Sequence, residues 1–593
     1  MTPSRSSRLD AALLVFCAMA AASLAASHAG NVADAAHDAE VARAMGLLAA
    51  PWRALDAAVA SLLVWAPIGT RAMRAELGVA LAAGAAGALL FRVARAVAAQ
   101  AAEAPRLGAF AAAIATLAAV CAPAWQMESA AVGGSALGAL LALAPLAVVA
   151  RADEASARPP WRLAVFCVGL ALGHELLVGA CGALGVAAVA GTGRTARARA
   201  LEALRTDARG LGLFFAAGLV PFALAIARVR VAGLPLVAAL RDGWAGELAA
   251  SHAGSPATFV KGELGVVLGA MAVGGAVVAA MAPRARALGA GLLAVSAVGL
   301  AAGWAGAPLG PTRFGAPVLA GAAAACALAG LTMQAVVRAI AEARLPMAHA
   351  SAALVLVLEL VVPVDAADEA LLRTRPRAAG QAAVWDDVAW GSLPPRAVVV
   401  VSDARLGRRA AAAAATGSLR GDVAIVRTYG QGFARERALA ADPALVPLWR
   451  DLALEGSPSE AALSSLATAR PLVLEYEPRW GRVLGKHLVA VGLLDRFEPE
   501  PRGTSDRRKA LDAWAPKRER LARAAGKDPE LAVAAAYPLR ARVLDVAASG
   551  DRDLVGRAVD DLHAFAPEDP VATAVVARLV LGHGAAKLDD LRP

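Results

Sequence analysis

Lysine is nearly missing from this chain: six of its 59 basic residues are Lys and the rest are Arg. With its abundant Ala, that bias reflects GC-rich coding and says little about chemistry. Charged residues make up 18% and aromatic residues 4%, against 58% hydrophobic over 593 residues. So few charges exclude an ordinary soluble protein of this length. The five cysteines, Cys17, Cys121, Cys167, Cys181 and Cys326, all fall in apolar stretches without CxxC spacing. This excludes a disulfide framework and a thiolate metal site, and they read as small apolar residues. No Gly-x-x-x-x-Gly-Lys-[Ser/Thr] run is present, which excludes that phosphate cradle. The net charge of +10 invites a nucleic-acid partner. The excess Arg, however, sits in short loops between apolar runs, which is the positive-inside pattern, and no nucleic acid is expected.

Apolar runs of membrane length dominate instead. They lie near 10–28, 76–99, 107–124, 128–150, 162–190, 210–230, 262–282, 286–304, 315–337 and 347–364. Residues 5–29 read as a retained signal-anchor helix in preference to a cleaved signal peptide. With the N-terminus in the cytoplasm, Arg92, Arg95, Arg106, Arg151, Arg158 and Arg162 fall inside. The block 162–190 would be about 43 Å long as one helix, against a hydrocarbon core of about 30 Å. The loop expected after it carries Arg194, Arg197, Arg199, Arg205 and Arg209, and one crossing would place all of these outside. A hairpin of two short helices keeps them inside, with Gly173-His174-Glu175 at a turn sunk in the outer leaflet. His and Glu there should face protein or a wet cavity. The fold expected is mostly α: a polytopic bundle of about 11 crossings, the hairpin included. A C-terminal extracytoplasmic α/β and helical region follows, in the order 1–364, 365–500 and 501–593.

Three outer loops hold the candidate chemistry. In the first, Asp34, His37 and Asp38 share i, i+3, i+4 spacing and so one helix face. Asp38 or Glu40 reads as a general base for an acceptor hydroxyl, or as a first-turn carboxylate complementing a helix dipole. A divalent metal on Asp34, His37 and Asp38 is weakly indicated, and no cofactor is expected. Residues 52–66 read as a helix lying in the membrane interface. The second loop, 231–261, brings Arg241 and Lys261. The third, 305–314, brings Arg313, either a phosphate-binding fork or a snorkelling surface Arg.

Several segments together carry a resemblance. His37-Asp38-Ala39-Glu40 after the first span is similar to the acidic motif of the protein O-mannosyltransferase-like membrane family. Ala122-Pro123-Ala124-Trp125-Gln126 resembles that family's Ser-Pro-x-x-Trp motif. Gly169-Leu170-Ala171-Leu172-Gly173-His174-Glu175-Leu176 resembles its hairpin, and Leu393-Pro394-Pro395-Arg396-Ala397-Val398-Val399 resembles the start of its extracytoplasmic domain. The chain departs from the family in three places. Leu48-Ala49-Ala50-Pro51-Trp52-Arg53 replaces a Pro-rich stretch. His174 and Glu175 stand where Asn and His are usual. The family's Glu beyond the Trp motif has no clear counterpart, Glu128 standing three residues after Trp125.

The resemblance implies a GT-C glycosyltransferase fold in the inner membrane. It implies transfer of a sugar from a polyprenyl-phosphate donor to a protein or glycan acceptor on the outer face. Asp38 would then be the catalytic base and Glu40 the second acid. His37, His174, Glu175, Arg241, Lys261 and Arg313 are the candidate substrate-binding residues. A transporter or flippase of a lipid-linked substrate, and an inactive scaffold of the same fold, are the competing functions. Beyond residue 365, Ala397–Val401, Asp422–Arg427 and Pro471–Tyr476 read as buried strands between helices, a small parallel sheet. From about 505 onward the chain reads as helical. This region serves acceptor or partner binding, or caps the fold.

Overall fold

The computed structural model describes residues 5–27, 54–63, 65–68, 71–102, 104–130, 132, 135–150, 161–192, 194–231, 255–306, 315–343, 381–403 and, with short gaps, 406–428 and 442–580, besides a few isolated positions. The described residues divide into a helical unit before Pro376 and a second unit from Pro376 onward.

The described part of the first unit is all helix, as an apolar slab requires of a backbone that must satisfy its own hydrogen bonds. In chain order the helices are α1 (Arg5–Ser27), α2 (Ala54–Ser61), α3 (Arg71–Ala101), α4 (Pro105–Cys121), α5 (Pro123–Ala130), α6 (Ser135–Ala150), α7 (Trp161–His174), α8 (Leu176–Thr192), α9 (Arg194–Gly218), α10 (Val220–Val231), α11 (Pro256–Met281), α12 (Arg286–Gly306) and α13 (Gly315–Glu342). Among the described residues five segments are long and apolar enough to span a membrane: Arg8–Ser27, Met73–Ala101, Pro256–Met281, Arg286–Ala305 and Gly315–Glu342. The helices Ala200–Gly218 and Val220–Ala227 form a further, bent pair at 48°. Helices α4, α6, α7 and α8 are apolar but shorter.

Small residues let these helices approach closely, since lipid offers no hydrophobic drive for them to associate. A Cβ on Gly84 of α3 would lie 3.0 Å from that of Ala22, and one on Gly87 would lie 2.8 Å from that of Ala21. Farther along, Arg95 Nε donates to Asp10 Oδ1 at 2.9 Å. The pairing therefore runs antiparallel along α1 and α3. Gly108 sets α4 against Ala98 of α3. Gln334 of α13 donates to the Ala98 carbonyl at 3.2 Å, and Thr332 to that of Met271 at 2.6 Å. Helix α13 is buried over most of its length and forms the centre of the unit.

Three expectations need correction. The basic stretch 194–209, expected as a loop, is the first part of α9. Its Ala, Leu, Arg and Glu residues favour helix, and no Gly or Pro interrupts it before Gly210. Asp207 leaves helical geometry there, at φ −134°, and takes a bidentate pair from Arg162 at 2.6 and 2.7 Å. The span expected at 128–150 is two helices, α5 and α6, with Gly133 and Gly134 between them in sequence. The helix expected at 52–66 is the shorter α2, and Trp65 beyond it is 91% exposed. Of 347–364 only three positions are described.

The second unit is an α/β sandwich. Its elements are α14 (Gln381–Gly391), β1 (Val398–Val401), β2 (Ala424–Arg427), α15 (Val446–Leu454), α16 (Glu460–Ala469), β3 (Leu472–Leu474), β4 (Leu488–Val491), β5 (Leu494–Phe497), α17 (Thr504–Ala525), α18 (Pro529–Ala548), α19 (Arg552–His563) and α20 (Pro570–Val580). The three expected strands are present and pair in parallel, β1 lying between β2 and β3. The sheet is nevertheless mixed. Its order is β2-β1-β3-β5-β4, and the hairpin β4–β5 adds an antiparallel edge. Gly492 takes φ 70° in the turn, as a two-residue hairpin turn requires.

Alternation along the strands sorts the core onto two faces. Val398, Val400, Leu472 and Leu474 meet Leu448, Leu463 and Leu466. Val399, Val401 and Val473 meet Trp385, Leu511, Leu539 and Leu554, so the helices after Thr504 share a core with the sheet. Arg542 of α18 ties that core to the hairpin. It donates to Asp495 Oδ1 at 3.0 Å and to the carbonyls of Gly492 and Leu494 at 3.1 and 2.9 Å. Removing one partner of a buried pair strands the other charge, at a cost of about 3–5 kcal/mol. Arg542→Ala should therefore lower the stability of this unit by that amount in urea pulse proteolysis of the full chain, with Asp387→Ala, at an exposed pair, as the near-neutral control.

Candidate active site

Ionisable groups inside an apolar helical unit are costly, and those that persist there are usually functional. Among the described residues four are almost wholly buried: Glu76 at 1%, Glu128 at 4%, His174 at 1% and Glu175 at 0% exposure. Two of them, Glu128 and His174, meet at α6. Glu128, on the short α5, accepts a hydrogen bond on Oε2 from Ser135 Oγ at 2.9 Å. Ser135 opens α6, and one turn later Gly138 leaves room for the imidazole of His174. A Cβ at Gly138 would lie 3.4 Å from His174 Cδ2 and would collide with Ala316 at the start of α13.

His174 ends α7, and Glu175 is the joint between α7 and α8. The chain folds back sharply at this joint. A Cβ on Gly179 would lie 2.5 Å from the Cα of Leu172, whereas a straight helix would separate these residues by about 10 Å. The amide of Glu175 still donates to Ala171 and its carbonyl accepts from Gly179, both at 3.0 Å. The joint thus holds its backbone bonds while carrying two polar side chains inward. The short hairpin with His174 and Glu175 facing protein is as expected.

Helix register brings further groups to this end. Because α3 runs antiparallel to α1, Glu76 lies level with the C-terminal end of α1. There α2 crosses closely: a Cβ on Gly78 would lie 2.6 Å from the Val59 carbonyl oxygen. Helix α11 begins at the same end as α12 finishes, with the Phe259 ring 2.9 Å from where a Cβ on Gly303 would be. Lys261, two residues on, is exposed. Glu76, Glu128, Ser135, His174, Glu175 and Lys261 therefore share one end of the unit. Trp125 is buried beside them on α5, and Gln126 Nε2 donates to the Cys121 carbonyl at 3.0 Å, fixing the short helix to the end of α4.

Asp34, His37, Asp38, Glu40, Arg241 and Arg313 fall outside the described residues. Among the described residues no group of three His, Cys, Asp or Glu side chains could hold a metal ion. Sequence reasoning passes over Glu76 and Ser135, and notes Glu128 only as a poor counterpart of the family's Glu. The available signal was a lone carboxylate at each edge of an apolar run, in Arg74-Ala75-Glu76-Leu77-Gly78 and Trp125-Gln126-Met127-Glu128.

The second unit has a polar feature of its own, at the C-terminal ends of its parallel strands. Glu475 follows β3, and its Oε2 accepts the amides of Ser402 and Asp403 after β1 at 2.7 and 2.8 Å. Burial pushes its carboxyl up to about 8. The amide hydrogen bond from Asp403 opposes that shift, and the Asp403 charge adds to it.

No protein-family model matches the chain. No curated protein sequence matches it either. Solved structures that resemble it include two of one enzyme. One is ArnT from Cupriavidus metallidurans bound to undecaprenyl phosphate, at 18% identity and a TM-score of 0.48, covering 79% of this chain and 93% of that one. The other is ArnT from the same organism in the apo state, at 17% identity and a TM-score of 0.49, with the same coverage. A likeness of that degree carries no argument about the site.

The folded state keeps a proton on Glu475 between its ordinary value of 4.5 and about 8, a range in which the unfolded chain has lost it. Stability should therefore fall as pH rises through that window. Asp545, pushed up to about 6 by burial, adds a smaller slope of the same sign. Glu475→Gln should gain on the wild type as pH rises from 5 to 9 in urea pulse proteolysis; parallel pH profiles would contradict this.

Proposed function

We propose that the helical unit is a membrane glycosyltransferase of the GT-C type. It would take a sugar from a polyprenyl-phosphate carrier and pass it to a protein or glycan acceptor at the outer face of the inner membrane. The observation that carries this reading is the buried string Glu128–Ser135–His174, with Glu175 beside it, gathered at one end of an apolar bundle. A transporter would place such groups near the bilayer midplane. Placement at an end suits chemistry on a headgroup.

In this reading an acceptor hydroxyl oxygen attacks the anomeric carbon of the donor sugar. The bond from that carbon to the carrier phosphate breaks, and the phosphate leaves as an anion. The hydroxyl proton passes to a carboxylate. Asp38 is the proposed base, by its match to the acidic motif, with Glu40 as the second acid. Glu128, held by Ser135, and His174 would orient the acceptor, with Glu175 beside them, and His37 is a further proposed substrate-binding residue. Lys261, Arg241 and Arg313 supply the cations that meet the charge growing on the phosphate. The sharp turn at Glu175 leaves α7 and α8 short, which supports a slot for the carrier in one leaflet. The N-terminus is then cytoplasmic, and the region after residue 365 is extracytoplasmic and placed for acceptor binding.

The test uses membranes containing the full chain and a radiolabelled undecaprenyl-phosphate sugar, the carrier lipid being of the class named for ArnT. A general base contributes about 10²–10⁴-fold in rate. Asp38→Asn should lose that factor, and Glu128→Gln should lose at least tenfold. Transfer by the wild type with unchanged turnover in Asp38→Asn would remove Asp38 as the base. No transfer from any polyprenyl-phosphate sugar would remove the reading.

A further inference from the structure

The end of the helical unit away from Glu128 holds a second polar feature between apolar walls. A cavity of about 470 Å³ opens among α1, α3 and α6, with Leu14, Phe91 and Ala147 in its walls and Asp10, Arg92 and Arg95 at its polar side. Arg92 and Arg95 are one turn apart on α3 and so share a face. Arg95 Nε is bound by Asp10 at 2.9 Å. Its Nη1 is buried against α4, 3.6 Å from where a Cβ on Gly108 would be, so the rest of the guanidinium is what the cavity can meet. Arg92 is exposed. Among the described lining residues, two guanidiniums against one carboxylate leave one net positive charge.

Its depth defines the occupant further. Arg95 lies about 28 Å along α3 from Glu76, close to the hydrocarbon thickness of about 30 Å. The cavity therefore sits at the bilayer interface opposite the candidate active site, where lipid headgroups are the ambient ligand. Apolar walls suit an acyl chain, and a guanidinium fork suits a phosphate diester. One surplus positive charge matches a headgroup of one net negative charge. A zwitterionic headgroup would bring its own ammonium toward Arg92 and lose that match.

We propose that this groove binds one anionic phospholipid, its phosphate between Arg92 and Arg95 and an acyl chain along Leu14 and Phe91. The proposal stands apart from the glycosyl-transfer reading, since it uses none of those residues.

Native mass spectrometry of the full chain in detergent tests it, titrating dioleoyl phosphatidylglycerol, dioleoyl phosphatidylcholine and inorganic phosphate separately. The first phosphatidylglycerol should bind more tightly than phosphatidylcholine. Arg92→Ala should weaken it about fivefold, the worth of one cation near a membrane surface. Asp10→Asn, which releases Arg95 and adds a net positive charge, should strengthen it. Equal binding of the two lipids would overturn the proposal. So would an Arg92→Ala titration identical to wild type, or an Asp10→Asn chain that binds phosphatidylglycerol no better. Competition by inorganic phosphate at concentrations equal to the lipid would make this an anion site and overturn the lipid assignment.

Discussion

Everything in the helical unit answers to one constraint: a polar group facing hydrocarbon is costly, so each must find a partner or an edge. The middle of the bundle obeys it by having almost nothing polar to satisfy. Its contacts are Gly and Ala against backbone, as at Gly84 and Gly87. The few hydrogen-bonding side chains there turn onto carbonyls, as Thr116 does onto Ala112 at 2.8 Å and Thr332 onto Met271 at 2.6 Å. Ionisable residues are driven to the two ends. Glu76, Glu128, His174 and Glu175 occupy one, and Asp10, Arg92 and Arg95 the other.

The joint at Glu175 shows how this sorting builds a site. A continuous helix over 161–192 would carry His174 and Glu175 through the slab. Folding back at Glu175 brings them to the start of α6, where Gly138 has no side chain to obstruct the imidazole. Ser135, one turn earlier, binds Glu128. Three short elements, α5, α6 and the α7–α8 joint, thereby bring together groups from positions 128 to 175. Small residues at Gly138 and Gly179 are what permit the approach, so the site depends on absent side chains as much as on the polar ones.

Much of this was legible in the residue order. The apolar runs located the long helices. The length of 162–190, set against the arginines after it, pointed to a fold-back at Gly173-His174-Glu175. The strands at 398–401, 424–427 and 472–474 followed from their Val and Leu content. Other features were not legible, for definite reasons. The β4–β5 hairpin has four-residue strands that interrupt their apolar pattern with Asp495 and Arg496, and the partner of Asp495, Arg542, lies far off in sequence. Glu128 reads only as a poor counterpart of the family's Glu, and its bond to Ser135, seven positions away, has no signature in the residue order. The arginines of 194–209 read as a charged loop, but charge says nothing about whether the backbone is loop or helix. The acids at 34–40 and the arginines at 241 and 313 fall outside the described residues, so their part in the site stands as proposed.

The sorting of charge to two ends makes one direct demand. In a chain with its five native cysteines replaced, Lys261→Cys and Arg106→Cys each put one thiol at an exposed position, one near Glu128 and the other at the far end, where α4 begins. A membrane-impermeant maleimide applied to intact cells stripped of their outer membrane should label position 261 at once and position 106 only after permeabilisation. Labelling of both from outside, or of 106 alone, would contradict the account.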